Sequence, residues 1–315
     1  MPKQLVTVEQ FYRENTESLD LRLLGGDAGL GRPIREPTVN RPGLALAGHT
    51  KYFASRRIQV LGNAENSYNQ SIPAEARSAR YRKLFSYQIP CFVFCRDSKP
   101  DEEFLQVAEE KHVPVFQTSL ITMRFINLAT LALEVLFAPR GTEMGSMVEV
   151  HGVGVLIRGE SGIGKSESIL ALIERGYSLV SDDVTRVMLL DNREIIGTSP
   201  DVTRNFMEVR GIGIVNVATL FGVRAVRRDK RLDLIISLRP WEEVKNVDRL
   251  GIEESHDKIL GVKIPHIVIP VRPGRDLARL IEVASMQTKL KRTGYNPAAE
   301  LDAQLRARMQ AEKPI

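Results

Sequence analysis

The spacing of apolar residues changes along the chain, and each change predicts a different element. Short apolar runs that predict strands lie at 57–61, 87–94 and 113–116. Apolar residues at helical spacing predict helices over 101–111 and 119–137. Pro90 favours an edge position or a turn into its strand. Strands that alternate with helices are typical of an α/β domain.

The later part of the chain begins in the same way and then departs from regular alternation. An apolar run at 153–157 predicts a buried strand, and apolar residues at helical spacing follow until Gly176, which suits a helix C-terminus. Further strands are predicted at 177–181, 184–190, 194–196, 206–217 and 232–238, and helices at 275–288 and after Tyr295. Asp191-Asn192 predicts a hairpin. Paired strands between 184 and 217 indicate a mixed sheet.

A length of 315 residues favours two domains. We place an N-terminal α/β domain at 1–138 and a catalytic phosphate-loop domain at 139–315, with a linker at 138–141. The predicted fold class is α/β, with a mixed sheet in the second domain.

A complete G-x-x-x-x-G-K-S phosphate loop lies between the strand at 153–157 and the helix that follows it. Its residues are Gly159, Glu160, Ser161, Gly162, Ile163, Gly164, Lys165 and Ser166. Glycines let backbone N–H groups converge on an anion at the helix N-terminus. Lys165 has the charge to reach terminal phosphates, and Ser166 has a hydroxyl for Mg²⁺. The strand and helix make phosphate binding the preferred interpretation over an ordinary glycine-rich turn. The glycine-rich residues 25–32 lack the Lys-Ser/Thr pair and are interpreted as a loop.

Composition narrows the class of protein. The net charge is +5, but the densest basic cluster, residues 224–231, has no aromatic side chains for stacking bases. We interpret it as a solvated face or a patch for a phosphate or acidic partner, not a nucleic-acid site. The two cysteines, Cys91 and Cys95, suit small buried hydrophobes. With no apolar run of membrane length and no signal-peptide pattern, we expect a cytoplasmic protein without a membrane partner.

Several segments together resemble the HPr kinase/phosphorylase family. They are YFASRRIQVLGNAENSY, GVGVLIRGESGIGKSE, a strand ending in SDD, EVRGIGIVNV, VDRLG, IPVRPGRDL and GYNPAAEL. The resemblance implies a C-terminal domain similar to phosphoenolpyruvate carboxykinase and a homohexamer regulated by sugar metabolites. It implies phosphorylation of a serine of HPr, a small phosphocarrier protein of sugar uptake, with ATP or pyrophosphate as donor. It also implies the reverse reaction with inorganic phosphate, which yields pyrophosphate.

The resemblance assigns catalytic roles to Lys165, Asp183 and Arg249. Asp183 would accept the serine proton and return it in the reverse reaction, and Arg249 would neutralise the moving phosphoryl group. Two adjacent carboxylates raise the pKa of one of them, which suits a proton carrier. Because neighbouring strand residues face opposite ways, only one of Asp182 and Asp183 is expected to face the site unless the strand ends there. Asp182 is the second candidate.

The same resemblance assigns Mg²⁺ to Ser166 and Glu208, which offer the hard oxygen ligands that this ion prefers. It links Arg272 and Arg275 to inorganic phosphate and dephosphorylation. Arg210, which lies within EVRG, is expected to serve the same phosphate site. The alternative for Glu208 is an exposed strand carboxylate without a ligand.

One position departs from the family pattern. Met144 and Gly145 stand where the family has a histidine followed by glycine, 21 residues before Lys165. Methionine carries no proton and no charge, so we expect weakened catalysis, above all in the phosphorylase direction. His151 is expected to be a packed strand residue, not a substitute. Two alternatives to an HPr kinase stay open: a small-molecule phosphate-loop kinase, and a nucleotide-binding regulatory module with weakened catalysis.

Overall fold

The computed structural model describes residues 5–244 and 255–311. The chain forms two compact units, residues 1–138 and residues 139–315. The predicted linker at 138–141 is wrong in its second half, because Arg140–Met144 is a strand.

The first unit is an α/β unit built around a mixed sheet. Its strands are β1 (Val6–Thr7), β2 (Arg22–Gly25), β3 (Pro33–Ile34), β4 (Val39–Asn40), β5 (Ile58–Leu61), β6 (Phe92–Phe94) and β7 (Val115–Gln117). Its helices are α1 (Val8–Asn15), α2 (Gly43–Leu46), α3 (Asn63–Ser71), α4 (Ala74–Phe85), α5 (Glu102–Glu110) and α6 (Thr122–Phe137). The larger sheet has the order β2-β7-β6-β5-β4, in which β4, β5, β6 and β7 are parallel to one another and β2 is antiparallel to β7.

The apolar runs of this unit became its strands, as predicted, but two features differ. β6 lies in the interior of the sheet, so Pro90 marks a turn into the strand and not an edge position. The charged helix α4 was not predicted, because its apolar residues Tyr81, Leu84 and Phe85 are confined to its last turns. Cys91 and Cys95 are free and buried, as expected.

The second unit is built around a larger mixed sheet. Its strands are β8 (Arg140–Met144), β9 (Ser146–Val150), β10 (Val153–Arg158), β11 (Ser178–Ser181), β12 (Val184–Leu190), β13 (Glu194–Thr198), β14 (Phe206–Val209), β15 (Gly213–Asn216), β16 (Asp229–Arg231), β17 (Leu234–Pro240), β18 (His256–Ile259) and β19 (Val262–Val271). Its helices are α7 (Lys165–Glu174), α8 (Val217–Phe221), α9 (Leu277–Arg292) and α10 (Pro297–Ala311).

The central sheet of this unit, called the central sheet below, has the order β11-β9-β10-β17-β19-β18. β10, β17 and β19 are parallel, whereas β9 runs antiparallel to both β10 and β11. A second sheet has the order β16-β13-β12-β8, and β14 pairs with β15 in a separate hairpin. The predicted mixed sheet and the hairpins between 184 and 217 are therefore confirmed.

Helices α7 and α9 pack on the central sheet and complete its core. Ile169, Leu172 and Ile173 of α7 and Ile281 of α9 are buried in one cluster with the strand residues. This packing fixes where α7 begins relative to β10, and therefore fixes the loop between them. Among residues 5–244 and 255–311, no helix combines the length and apolar character that a membrane crossing needs.

Candidate active site

The phosphate loop connects the carboxyl end of β10 to the first turn of α7. Gly162 and Gly164 have φ angles of 86° and 103°, a region that glycine enters without the steric cost of a Cβ. The Nζ of Lys165 donates to the carbonyl oxygens of Gly159 at 3.0 Å and Glu160 at 3.4 Å. Its ammonium group is therefore held over the loop, where an anion bound by the backbone N–H groups would meet it.

Ser166 lies half-buried on the first turn of α7. The hydroxyl of Ser168 donates to the carbonyl of Gly164 at 2.5 Å and ties this turn to the loop. The arrangement agrees with the sequence argument that Lys165 and Ser166 stand at a helix N-terminus, which favours negative charge.

Asp182 and Asp183 follow directly after β11. The Oδ1 of Asp182 accepts a hydrogen bond from the hydroxyl of Ser146 at 2.8 Å, and its Oδ2 accepts one from the backbone N–H of Glu208 at 3.0 Å. Asp183 is exposed and has a φ of 52°. The strand has ended at this point, so the alternation of strand side chains does not decide which carboxylate faces solvent. The carboxylate of Asp182 is hydrogen-bonded within the protein, whereas Asp183 is exposed to solvent.

Burial raises the pKa of Asp182, and the nearby charge of Asp183 adds to the increase, while the bonds from Glu208 and Ser146 oppose it. The raised pKa expected of one carboxylate is therefore found at Asp182. The reason is desolvation, which the sequence does not reveal.

The hairpin of β14 and β15 lies against the phosphate loop. Along β14 the side chains of Met207 and Val209 are buried, while Glu208 faces solvent. Arg210, the next residue, donates from its guanidinium to the hydroxyl of Ser161. A Cβ at Gly162 would lie 2.9 Å from the guanidinium of Arg210, so a larger residue there would require this side chain to shift. The structure thus brings Arg210 to the loop, and brings the strand of Glu208 beside Asp182.

The turn after β19 carries Arg272 and Arg275. The guanidinium of Arg272 stacks on the ring of Trp241, 3.4 Å from its centroid, and Arg275 donates to the carbonyl of Pro270 at 2.8 Å. Leu277, just beyond the turn, reaches to 3.3 Å from the Cβ position of Gly164. This turn therefore stands beside the phosphate loop. Arg249, the third predicted catalytic residue, lies outside the described residues.

Arg175, at the end of α7, connects the helix of the loop to the helix after this turn. It donates to Asp276 at 2.8 Å and to Glu282 at 2.6 Å. Asp276 also caps α9 by accepting from the N–H of Arg279 at 3.0 Å. The backbone N–H of Arg279 lowers the pKa of Asp276 most, and the hydroxyl of Tyr177 lowers the pKa of Glu282 most. The hydrogen bonds from Arg175 lower the pKa of both carboxyls further.

Met144 ends β8 and lies next to the two aspartates. It is paired in register with Val184, and the N–H of Gly145 donates to the carbonyl of Asp183 at 2.7 Å. The Met144 side chain is 70% exposed. A side chain at this position is therefore placed beside Asp183, which gives the departure from the family pattern a location in the site.

His151 lies elsewhere, in the turn between β9 and β10 at the opposite end of β10 from the loop. Its Nε2 is 2.7 Å from the hydroxyl of Tyr177. The expectation of a strand residue is wrong, because His151 has a φ of 51° that a turn requires. Its position also rules out a substitution for the missing histidine.

The donors for a metal are sparse. Among the described residues, no three His, Cys, Asp or Glu side chains form a cluster that could hold a metal ion. Ser166 is half-buried at the start of α7, and Glu208 is exposed on β14. A hydroxyl and a carboxylate are hard oxygen donors of the kind that Mg²⁺ prefers, so the residue types predicted for this ion fit it.

Two residues of the site escaped the sequence argument. Ser146 joins both aspartates, since its hydroxyl also accepts from the N–H of Asp183 at 3.0 Å. Trp241 supports Arg272. A signal for Ser146 existed in its position directly after Met144-Gly145, whereas Trp241 gave none, because nothing local links it to a residue 31 positions later.

Together, a phosphate loop on a mixed sheet, adjacent aspartates at a strand end and three arginines around the loop define a phosphate-loop phosphotransferase domain. The comparisons with known proteins identify the family. Residues 136–305 match the family described as HPr Serine kinase C-terminal domain, and residues 6–133 match HPr Serine kinase N terminus. The chain belongs to the HPr serine kinase family, which confirms the resemblance.

Relatives cover nearly the whole chain. The HPr kinase/phosphorylase of Leptospira biflexa is 41% identical over 312 residues, which span 98% of this chain and 97% of the relative. That of Lachnoclostridium phytofermentans is 45% identical over 268 residues, 85% of this chain and 87% of the relative. A solved structure, the Hpr(Ser) kinase/phosphatase from Coxiella burnetii, is 38% identical and covers 51% of this chain and 98% of its own, with a TM-score of 0.47.

Proposed function

We propose that this protein phosphorylates a serine of HPr and also removes that phosphate by phosphorolysis. The observation that carries the proposal is the grouping of the phosphate loop, the aspartates and the hairpin of Glu208 and Arg210 in one unit of a chain with HPr kinase/phosphorylase relatives. The names of these relatives are those of enzymes, so a module that only binds nucleotide is not favoured.

The nucleotide phosphates would lie against the loop N–H groups, with Lys165 neutralising the terminal charge. Ser166 and Glu208 would hold Mg²⁺, which when bound neutralises charge on the donor phosphates. The donor is ATP or pyrophosphate. Arg210 donates to Ser161 in the structure and can turn to a phosphate oxygen, because both groups are exposed.

Asp183 would take the proton from the HPr serine as its Oγ forms a bond to the terminal phosphorus of the donor and the bond to the donor's bridging oxygen breaks. In the reverse direction, an oxygen of inorganic phosphate attacks the phosphoserine phosphorus. The serine oxygen leaves, takes the proton back from Asp183, and pyrophosphate is formed. Arg272 and Arg275 would bind the attacking phosphate, and Arg249 would neutralise the moving group.

Asp182 would act as the support of this site. It accepts bonds from β9 through Ser146 and from β14 through Glu208, and so fixes the aspartate pair to the strand that carries the metal carboxylate. Its role is positioning, and it needs no contact with either substrate.

The exposed apolar side chains beside the site favour a protein substrate. Ile212 and Ile214 are 74% and 78% exposed and follow Arg210 directly in the hairpin. Exposed apolar groups of this size next to a reaction centre are typical of a docking surface. The homohexamer implied by the family is a separate proposal, and sedimentation velocity of the full chain tests it.

The test of the function uses the purified chain with HPr, ATP and Mg²⁺, and reads phosphoserine on HPr by mass spectrometry. Phosphorylated HPr is then given back with inorganic phosphate, and pyrophosphate is measured. We expect both reactions, with the second slower because Met144 stands beside Asp183, and we expect Met144→His to accelerate the second more than the first. ATP consumption without phosphorylated HPr would favour a small-molecule kinase, and ATP binding without any transfer would favour a regulatory module.

A further inference from the structure

A cavity of about 300 Å³ opens beside the amino ends of β17 and β19, at the edge of the central sheet away from the phosphate loop. Its walls come from β13, β16, the start of β19 and the end of α9. β10 runs from the cavity side of the sheet to the phosphate loop. From Gly154, whose N–H donates to Asp233 of the cavity wall, to Gly159 at the loop, a strand rise of about 3.3 Å per residue gives a separation of about 17 Å. The cavity is therefore distinct from the candidate active site.

The acidic groups of the cavity are already neutralised. Asp233, 1% exposed, accepts from the Nε of Arg231 at 2.7 Å, from Arg292 at 2.6 Å and from the N–H of Gly154 at 2.8 Å. Glu194 pairs with Arg231 at 3.1 Å. Both carboxylates therefore have cationic partners, and neither is free to attract a cation.

Two further cations complete the wall. Arg193 and Lys263 line the cavity and are exposed, and within the described residues neither side chain has a hydrogen-bond or ion-pair partner. With four cations against two carboxylates, the cavity carries two uncompensated positive charges. The buried carboxylate of Asp233 forms the floor of the cavity. Because it pairs with both Arg231 and Arg292, it holds their guanidinium groups at the cavity even without a ligand.

We infer that this cavity binds a small phosphate monoester. The phosphate group of a monoester is a dianion near neutral pH and matches the surplus of two charges. Arginine suits phosphate oxygens because its planar donors bind them in pairs, and the volume lies at the lower end of the range of small-molecule sites. The inference does not depend on the proposed function, because no residue of the phosphate loop takes part.

The experiment is a calorimetric titration of the full chain with glycerol 3-phosphate. Arg193→Gln with Lys263→Gln removes the two uncompensated charges and leaves the Asp233 cluster intact. The matched control, Arg82→Gln with Lys83→Gln, removes one arginine and one lysine that are exposed on α4 in the other unit. Since all four side chains are exposed, both variants are expected to fold, and circular dichroism checks this.

We expect the affinity to fall at least tenfold in the cavity variant and to stay within twofold in the control. Lys165→Met serves as a third protein, because it weakens any binding at the phosphate loop, and the titration is expected to persist in it. Equal affinity in the cavity variant and the control would overturn the inference. Loss of binding in Lys165→Met would also overturn it. So would the absence of detectable binding to the unchanged protein when glycerol 3-phosphate reaches about 20 mM.

Discussion

The two edges of the central sheet hold charged residues in opposite environments. At the amino edge, Asp233 is buried and bound to two arginines and a backbone N–H. At the carboxyl edge, Asp183, Glu208 and Arg210 are exposed, and Lys165 donates hydrogen bonds to two carbonyls of its own loop. A buried charge must be paired to be tolerated, whereas an exposed one keeps its capacity to bind a ligand. The buried Asp233 cluster therefore matters to the stability of the fold, whereas the exposed groups at the carboxyl edge are available for chemistry.

The largest effect should follow from breaking the amino edge. Asp233→Ala leaves Arg231, Arg292 and the N–H of Gly154 without their shared acceptor, and we expect the free energy of unfolding to fall by about 3–5 kcal/mol. Urea unfolding measures this. Asp302→Ala on α10 removes a surface ion pair with Arg306 and should cost less than about 1 kcal/mol. Equal losses in both variants would show that the Asp233 cluster is not special.

At the carboxyl edge, Lys165→Met should leave stability almost unchanged and lower phosphoryl transfer to HPr by about 10²–10³-fold, or about 3–4 kcal/mol, since a donor to the reacting phosphates is lost. Initial rates at saturating ATP measure the effect. Lys83→Met, in the other unit, is the control. Transfer at more than a tenth of the normal rate would contradict a role of Lys165 at the phosphates.

Replacing each aspartate by asparagine separates their roles. Asp183→Asn should lower kcat at least a hundredfold, since no carboxylate accepts the serine proton. Asp182→Asn should lower it less, because the amide can keep a hydrogen bond to Ser146 or Glu208. The ratio of the two kcat values in one assay decides. A larger loss of kcat in Asp182→Asn would indicate that Asp182, and not Asp183, accepts the serine proton.

The pH dependence of stability gives a smaller effect. Burial raises the pKa of Asp182 in the folded state above its ordinary value of 3.8. The unfolded chain then loses this proton first as pH rises, so ionisation of Asp182 lowers stability from pH 4 upward until the folded pKa is passed. We therefore expect the free energy of unfolding of Asp182→Asn, minus that of the unchanged protein, to be larger at pH 7 than at pH 4. Urea unfolding of both proteins at each pH tests this, and a constant difference would mean that the pKa is not raised.

The smallest expected effect concerns docking. Ile212→Ser should raise the KM for HPr about fivefold and leave ATP binding unchanged, because the side chain lies in the exposed turn of the hairpin. Leu44→Ser removes a side chain of similar exposure, 72% against 74%, in the other unit. An unchanged KM in Ile212→Ser would remove the hairpin from the proposed docking surface.

Most elements and much of the site could be predicted from residues close together in sequence. The phosphate loop with Lys165 and Ser166, and the hairpins after Val184, follow from glycine spacing and period-two patterns, which act over a few residues. Asp183, Glu208 and the arginines came from the resemblance, and their roles stay predictions. Helix α4 and the strand at Arg140–Met144 were missed, because their apolar residues are few and give no clear period.

What the sequence alone determined is the loop that can bind phosphate and the kind of sheet that carries it. Only the tertiary structure decided which carboxylate is buried. Asp182 is held by Ser146, 36 residues before it, and by Glu208, 26 residues after it, so its environment depends on three strands that meet. The same holds for Asp233, whose partners lie on α9, β10 and β16. Local sequence patterns determine the backbone elements. The burial and pairing of a charged side chain depend on which strands become neighbours, and only the tertiary structure decides this.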